Sequence, residues 1–180
     1  RTYARNLWKI GTPLNEFYFN GYQNRIYVYG DTISNDTTWI KQNTEYFITG
    51  ELSVEGTDGP DGVTTLTLEP GVTLVFNSAV GLWIGSGTET GAINAVGTPS
   101  ERITFTGYSE SPGYWDGIYF YNNASDSLCL LEYCDILYGG YSSNENVYCY
   151  ASSPTFRHCF IAYGAGGGNL YAYNSAAPVL

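Results

Sequence analysis

Leu66-Thr67-Leu68-Glu69-Pro70-Gly71-Val72-Thr73-Leu74-Val75-Phe76 is two short apolar-polar alternations joined by a Pro-Gly pair. Alternation with a period of two is the signature of a strand with one buried face. Proline fixes φ and glycine accepts positive φ, so Glu69-Pro70-Gly71 predicts a tight turn between the two strands. A third run, Leu82-Trp83-Ile84, follows, and then the triplet returns. The first strand type recurs as Ala92-Ile93-Asn94, Leu128-Cys129-Leu130-Leu131 and Thr155-Phe156-Arg157. The second recurs as Ile103-Thr104-Phe105, Cys134-Asp135-Ile136-Leu137-Tyr138 and Cys159-Phe160-Ile161-Ala162-Tyr163. The third recurs as Ile118-Tyr119-Phe120-Tyr121, Val147-Tyr148-Cys149-Tyr150 and Leu170-Tyr171-Ala172-Tyr173.

Equivalent positions lie between 23 residues apart (Val147 to Leu170) and 36 apart (Leu82 to Ile118). Such internal periodicity marks a solenoid, each triplet forming one coil. Corresponding strands would stack about 4.8 Å apart into three parallel sheets. Alternation then directs Ile118, Phe120, Val147, Cys149, Leu170 and Ala172 inward and their neighbours outward. Thr88 to Gly91 and Tyr108 to Tyr114 read as loops thrown out from the body, where coil length varies.

Leu66 to Phe76, Gly91-Ala-Ile-Asn-Ala-Val-Gly-Thr98, Ile103-Thr-Phe-Thr106 and Trp115-Asp-Gly-Ile-Tyr-Phe120 together resemble the opening coils of parallel β-helix repeat proteins of the pectin-lyase-like group. The resemblance spans residues 36–173, because Asp36 to Trp39 and Tyr46 to Val54 also look like an opening coil. It implies an all-β, right-handed single-stranded parallel β-helix with three short strands per coil. It implies little about function, since similar sequences occur in adhesins, surface stalks and carbohydrate-active enzymes.

The expected organisation is an N-terminal cap or set of extension strands over residues 1–35, with the β-helix over residues 36–180. Trp8, Ile10, Phe17, Phe19, Ile26 and Val28 supply the alternation of the cap, which a solenoid needs to cover its terminal edge. Asn169 to Leu180 supplies one further strand and no recognisable polar cap. Truncation and a partner-covered end are both left open. Arg1 opens the chain without an initiator methionine or signal peptide, which fits a mature product or an excised piece.

The 180 residues carry 17 acidic and 7 basic side chains, a net charge of −10. With no basic cluster to neutralise phosphates, nucleic acid and anionic membrane are excluded as partners. No run of 18 apolar residues offers membrane insertion. Low charge together with abundant Tyr, Thr and Asn favours an extracellular or cell-surface protein. Asn35-Asp36-Thr37 and Asn123-Ala124-Ser125 match the glycosylation pattern, a short motif that also arises by chance.

Outward columns of aromatic residues are the most distinctive feature. Trp83, Tyr119, Tyr148 and Tyr171 share one position in successive coils; Tyr121, Tyr150 and Tyr173 share another; Tyr138 and Tyr163 form a further pair. Such columns could form a platform for a neutral glycan or a surface protein. Equally, stacked identical side chains stabilise a parallel sheet without any ligand.

Cys134 and Cys159 fall in register on adjacent coils, and that spacing admits either a disulfide or two free core thiols. Cys149 reads as a small interior residue below Phe120, and Cys129 has no evident partner. No cofactor and no metal site is expected. A lyase on this scaffold needs a carboxylate cluster for Ca²⁺ and a base, yet Asp116, Glu132, Asp135 and Glu145 are dispersed, with Arg102, Arg157 and His158 the nearby basic groups. Glu132 and Asp135, three residues apart, face opposite sides of an extended strand unless a bend intervenes. His158 reads as a surface ring against Tyr133. Asp58-Gly59-Pro60-Asp61-Gly62 reads as a polar turn in preference to a Ca²⁺ loop.

The leading expectation is therefore a non-catalytic structural or adhesive module. It could assemble into a homo-oligomer or filament through open coil ends and tyrosine-rich faces. A fragment of a polysaccharide lyase or glycoside hydrolase and a non-catalytic glycan-binding module are the competing readings.

Overall fold

The computed structural model describes residues 2–4 and 25–180. Its strands are β1 (Thr2–Tyr3), β2 (Arg25–Tyr29), β3 (Asp31–Ile33), β4 (Thr37–Trp39), β5 (Glu45–Ile48), β6 (Leu52–Val54), β7 (Thr64–Leu68), β8 (Thr73–Phe76) and β9 (Gly81–Ile84). Then follow β10 (Gly91–Val96), β11 (Ile103–Gly107), β12 (Gly117–Phe120), β13 (Leu130–Glu132), β14 (Cys134–Leu137), β15 (Val147–Tyr150), β16 (Thr155–Arg157), β17 (Phe160–Ala162) and β18 (Leu170–Tyr173).

Every pairing between these strands is parallel, and the strands fall into three sheets. One sheet runs β4-β7-β10-β13-β16, the next β1-β2-β5-β8-β11-β14-β17, and the third β3-β6-β9-β12-β15-β18. Visiting each sheet once per coil makes a right-handed parallel β-helix, with five complete triplets from β4 to β18. Residues 25–33 extend the stack by pairing in the same register with the following coil. The expected alternation at Trp8, Ile10, Phe17 and Phe19 lies outside the described residues.

The Pro-Gly turn forms as its residues dictate. Gly71 has φ of 78°, and the Val72 amide donates to the Glu69 carbonyl at 3.2 Å. Strand β13 begins at Leu130, two residues later than its apolar run suggests. The Leu128 and Cys129 amides both donate to the Ser125 carbonyl, so these two residues complete a turn. Cys129 nevertheless stays buried, while Leu128 is exposed.

Inside, side chains stack in columns. Ile33, Val54, Ile84, Phe120 and Cys149 occupy one line through five coils and are all fully buried. Ala172 is next in that register but is exposed, and Leu170 is only half-buried, because no strand of the described chain pairs beyond β18. A second line runs Val28, Ile48, Phe76 and then Gly107, where a side chain is missing. Trp115 fills that gap: its ring stacks on Phe76 at 4.2 Å and 13°, and its Nε1 donates to the Leu137 carbonyl at 2.7 Å. Burying a ring of this size contributes about 2–3 kcal/mol.

Two asparagines join the last coils. Asn146 is fully buried; its Oδ1 accepts from the Gly139 amide at 2.6 Å. Its Nδ2 donates to the Ala162 carbonyl and to Asn169 Oδ1, both at 2.9 Å. Asn169 Oδ1 in turn accepts from the Gly164 amide at 3.1 Å. The pair satisfies backbone groups that the corner between the second and third sheets leaves outside the ladders.

Candidate functional site: an aromatic face with a groove

The third sheet carries the aromatic face. Register places Trp83, Tyr119, Tyr148 and Tyr171 on adjacent strands at one level, and Tyr150 beside Tyr173 at the next. Tyr119 and Tyr148 have ring centroids 5.4 Å apart, Tyr148 and Tyr171 5.5 Å, and Tyr150 and Tyr173 5.9 Å. These separations are close to the spacing of the strands themselves, so the backbone ladder sets the ring stack. Trp83 meets Tyr119 edge-on at 6.4 Å, and Tyr121 lies parallel to Tyr119 at 6.1 Å. Gly81 permits the indole to fold back, since a Cβ there would stand 2.8 Å from Trp83 Nε1.

Tyr119, Tyr121, Tyr148 and Tyr150, with Ser142 and Ser143, line a groove of about 420 Å³. The two serines come from the loop between β14 and β15. Asp116 anchors that loop: its backbone carbonyl accepts from the Gly140 amide at 3.2 Å, and its Oδ1 accepts from the Ser142 amide at 3.0 Å. The Tyr141 amide adds a bond to the Trp115 carbonyl at 3.0 Å. A residue pair on the coil below thus fixes the groove's polar rim.

Exposure grades along the column. Tyr119 is buried, Trp83, Tyr121, Tyr148 and Tyr150 are half-buried, and Tyr171 and Tyr173 are exposed. Burial pushes the Tyr119 phenol up to about 12, with the charges of Asp116, Tyr121 and Glu145 adding to it. Burial likewise raises Tyr121 and Tyr148. All three rings are therefore neutral hydrogen-bond donors at physiological pH. Tyr119 Oη and Trp83 Nε1 are both buried without a hydrogen-bond partner of good geometry, although Ser143 lies close to the former.

Other residues marked in the sequence go elsewhere. Tyr138 and Tyr163 stack at 5.1 Å and 13° on another edge of the helix. His158 stacks on Tyr133 at 4.6 Å and 14°. A bend does intervene between Glu132 and Asp135, with Tyr133 at φ of 49°, yet Asp135 is committed to Arg102 at 2.8 Å and Glu132 stands in register with Arg157. Asp58 accepts from the Asp36 amide at 2.8 Å, tying the turn to the preceding coil, and Asp61 accepts from the Val63 amide at 3.1 Å within the turn, so both acids are engaged by backbone amides. Among the described residues no three His, Cys, Asp or Glu side chains cluster as metal ligands.

Cys134, the first residue of β14, and Cys159, which immediately precedes β17, are free thiols at the position just before the Asp135–Phe160 pair. Sequence reading missed the serine rim; its signal was the long polar stretch from Gly139 to Asn146, which separates second and third strands more widely than in the coil of Leu66.

No family model, curated protein or solved structure matches the chain. Periodicity, strand register and side-chain columns therefore establish a parallel β-helix, and the functional reading rests on the face itself.

Proposed function

We propose that this chain is a rigid, non-catalytic module of an extracellular or cell-surface protein. In this reading it is allied to the pectin-lyase-like β-helices and works in adhesion by holding a neutral glycan on its aromatic face. The observation that carries the reading is the groove between Tyr119, Tyr121, Tyr148 and Tyr150, rimmed by Ser142 and Ser143. Aromatic walls with a few polar groups are the usual chemistry of a small-ligand site. Rings held by a backbone ladder lose little entropy on binding. A net charge of −10 disfavours polyanions and leaves uncharged sugars as the better match.

Isothermal titration against neutral oligosaccharides tests this. Saturable binding is expected, with Tyr148→Ala or Tyr121→Ala weakening it about tenfold, the equivalent of about 1.4 kcal/mol. Binding unchanged in both variants, or absent for every neutral sugar tried, overturns the reading.

Self-assembly belongs to the same proposal. Among the described residues, β17 and β18 are the outermost strands of their sheets, and Phe160, Tyr163 and Tyr173 are exposed there. Open edges pair with further strands, so sedimentation velocity over a concentration series should show growing species. A single discrete monomer at high concentration removes the assembly part.

A fragment of a polysaccharide lyase or hydrolase is the second reading. It is favoured by one observation, that the charges of Asp116 and Glu145 both act on Tyr119, a residue of the groove wall. New reducing ends or unsaturated products that disappear with Glu145→Gln would place this reading first.

A further inference from the structure

Cys134 and Cys159 differ sharply in their surroundings although they are one coil apart. Cys134 is fully buried, its thiol donating to the Ala95 carbonyl at 3.3 Å. Cys159 is half-buried and lines a cavity of about 330 Å³ at the last coil, with Phe156, His158, Ile161 and Leu180. Since Asp135 pairs with Phe160 in a parallel ladder, the preceding residues Cys134 and Cys159 are direct neighbours. A ladder spacing of about 4.8 Å lies within the Cα separation of about 4.4–6.8 Å that a disulfide spans.

Arg102 supplies positive charge to both. Its guanidinium bridges the two coils by donating to the Cys134 carbonyl at 2.9 Å and the His158 carbonyl at 3.0 Å, and it pairs with Asp135. The remaining two cysteines, Cys129 and Cys149, are buried.

We infer that Cys159 is a nucleophilic thiol reached through the terminal cavity, and that Cys134 is its resolving partner in a thiol–disulfide reaction with low-molecular-weight disulfides. The Cys159 thiolate attacks one sulfur of R–S–S–R, forming a Cys159–S–S–R mixed disulfide and releasing one R–S⁻. Cys134 then gives up its proton to the released thiolate and attacks the Cys159 sulfur. The second R–S⁻ departs and is protonated from solvent, while the first proton lost by Cys159 has already gone to solvent. In sum, two protein thiols are oxidised by two electrons to one disulfide, and R–S–S–R is reduced to two R–SH. The bond produced fastens the last two coils together.

The ionisation of the thiols agrees with this division of labour. The neighbouring Cys134 thiol draws Cys159 below the usual thiol range against the opposing effect of burial, with Arg102 assisting, while Cys134 itself is held up by the same contact and by burial. Burial holds Cys129 and Cys149 up at about 12. Of the four thiols, Cys159 is the one whose surroundings favour the thiolate, the reactive form.

The test treats reduced protein with oxidised glutathione and follows it by intact mass and non-reducing peptide mapping. Wild type should end two hydrogens lighter, free of adduct, with Cys134 linked to Cys159. Its melting temperature should rise by about 5–10 °C, since closing a loop of this length constrains the unfolded chain. Cys134→Ser should stop at a glutathione adduct on Cys159, and Cys159→Ser should react roughly tenfold more slowly or less. Circular dichroism verifies that each variant is folded, and if either is not, the wild-type peptide map decides alone. Adducts on Cys129 or Cys149 in wild type, or a wild-type product without the Cys134–Cys159 link, overturn the inference.

Discussion

Trp115 shows how one residue repairs a local fault in a repeating core. Gly107 breaks the interior column above Phe76, and an indole from outside the strand ladder occupies the space, parallel to the Phe76 ring. Trp115→Ala should cost about 3–5 kcal/mol in urea denaturation, because the surrounding coils cannot collapse into so large a void. A loss below about 1 kcal/mol would mean that the column closes by itself. Gly91 makes the opposite demand, since a methyl there would run into the Val54 carbonyl. Ionisation is a residue-scale property too. Burial raises Tyr46 and Tyr119 to about 12 from 10.0, so the neutral phenol is favoured in the folded state. Their contribution to stability is complete below about pH 10 and is lost as pH climbs from there through about 12, where the unfolded chain ionises first. Denaturant midpoints should therefore fall between pH 10 and pH 12, and Tyr119→Phe should flatten that fall.

At the scale of elements, corners rather than strands carry the unusual conformations. Tyr133, Tyr138, His158 and Tyr163 all have positive φ, which costs a non-glycine residue about 1–2 kcal/mol. The four rings stack as Tyr133 on His158 and Tyr138 on Tyr163. A stack is worth about 0.5–1.5 kcal/mol, so it offsets a good part of the strain in its two corners. Asn146 has a different task at the neighbouring corner, where it satisfies Gly139 and Ala162 backbone groups. Asn146→Ala orphans both in a buried site and should lower stability by about 2–4 kcal/mol. Asn146→Asp should also destabilise, because Nδ2 is needed as a donor to the Ala162 carbonyl and Asn169 Oδ1. Thermal unfolding of the two variants checks both expectations.

For the whole molecule, stability should vary along the stack because each coil is held mainly by its neighbours. Strand β12 is buried throughout and pairs on both sides, whereas β17 is half-buried to exposed, β18 is largely exposed, and each pairs on one side among the described residues. Amide hydrogen exchange should therefore be slowest around β9 and β12 and fastest in β17 and β18. Uniform protection from β9 to β18 would indicate a single cooperative unit or an association that covers the last coil. The aromatic face spans this gradient, with Tyr119 fixed in the stable middle and Tyr171 and Tyr173 near the loose end. Binding that bridges several coils should slow exchange in β18 most.

The register of the β-helix was legible in the sequence because translation along a solenoid makes each residue's neighbour the equivalent residue of the next coil. Once Ile118, Val147 and Leu170 are aligned, Tyr119 must lie beside Tyr148 and Tyr148 beside Tyr171, and they do. Alternation of period two likewise fixes which side chains face inward. Tertiary structure alone decided the rest. Ser142 and Ser143 reach the groove only because their loop returns to Asp116, a contact 26 residues away that no repeat encodes. Cys159 is reachable, and Ala172 exposed, because the terminal coil lacks a covering neighbour among the described residues, a boundary effect that the repeating pattern cannot carry.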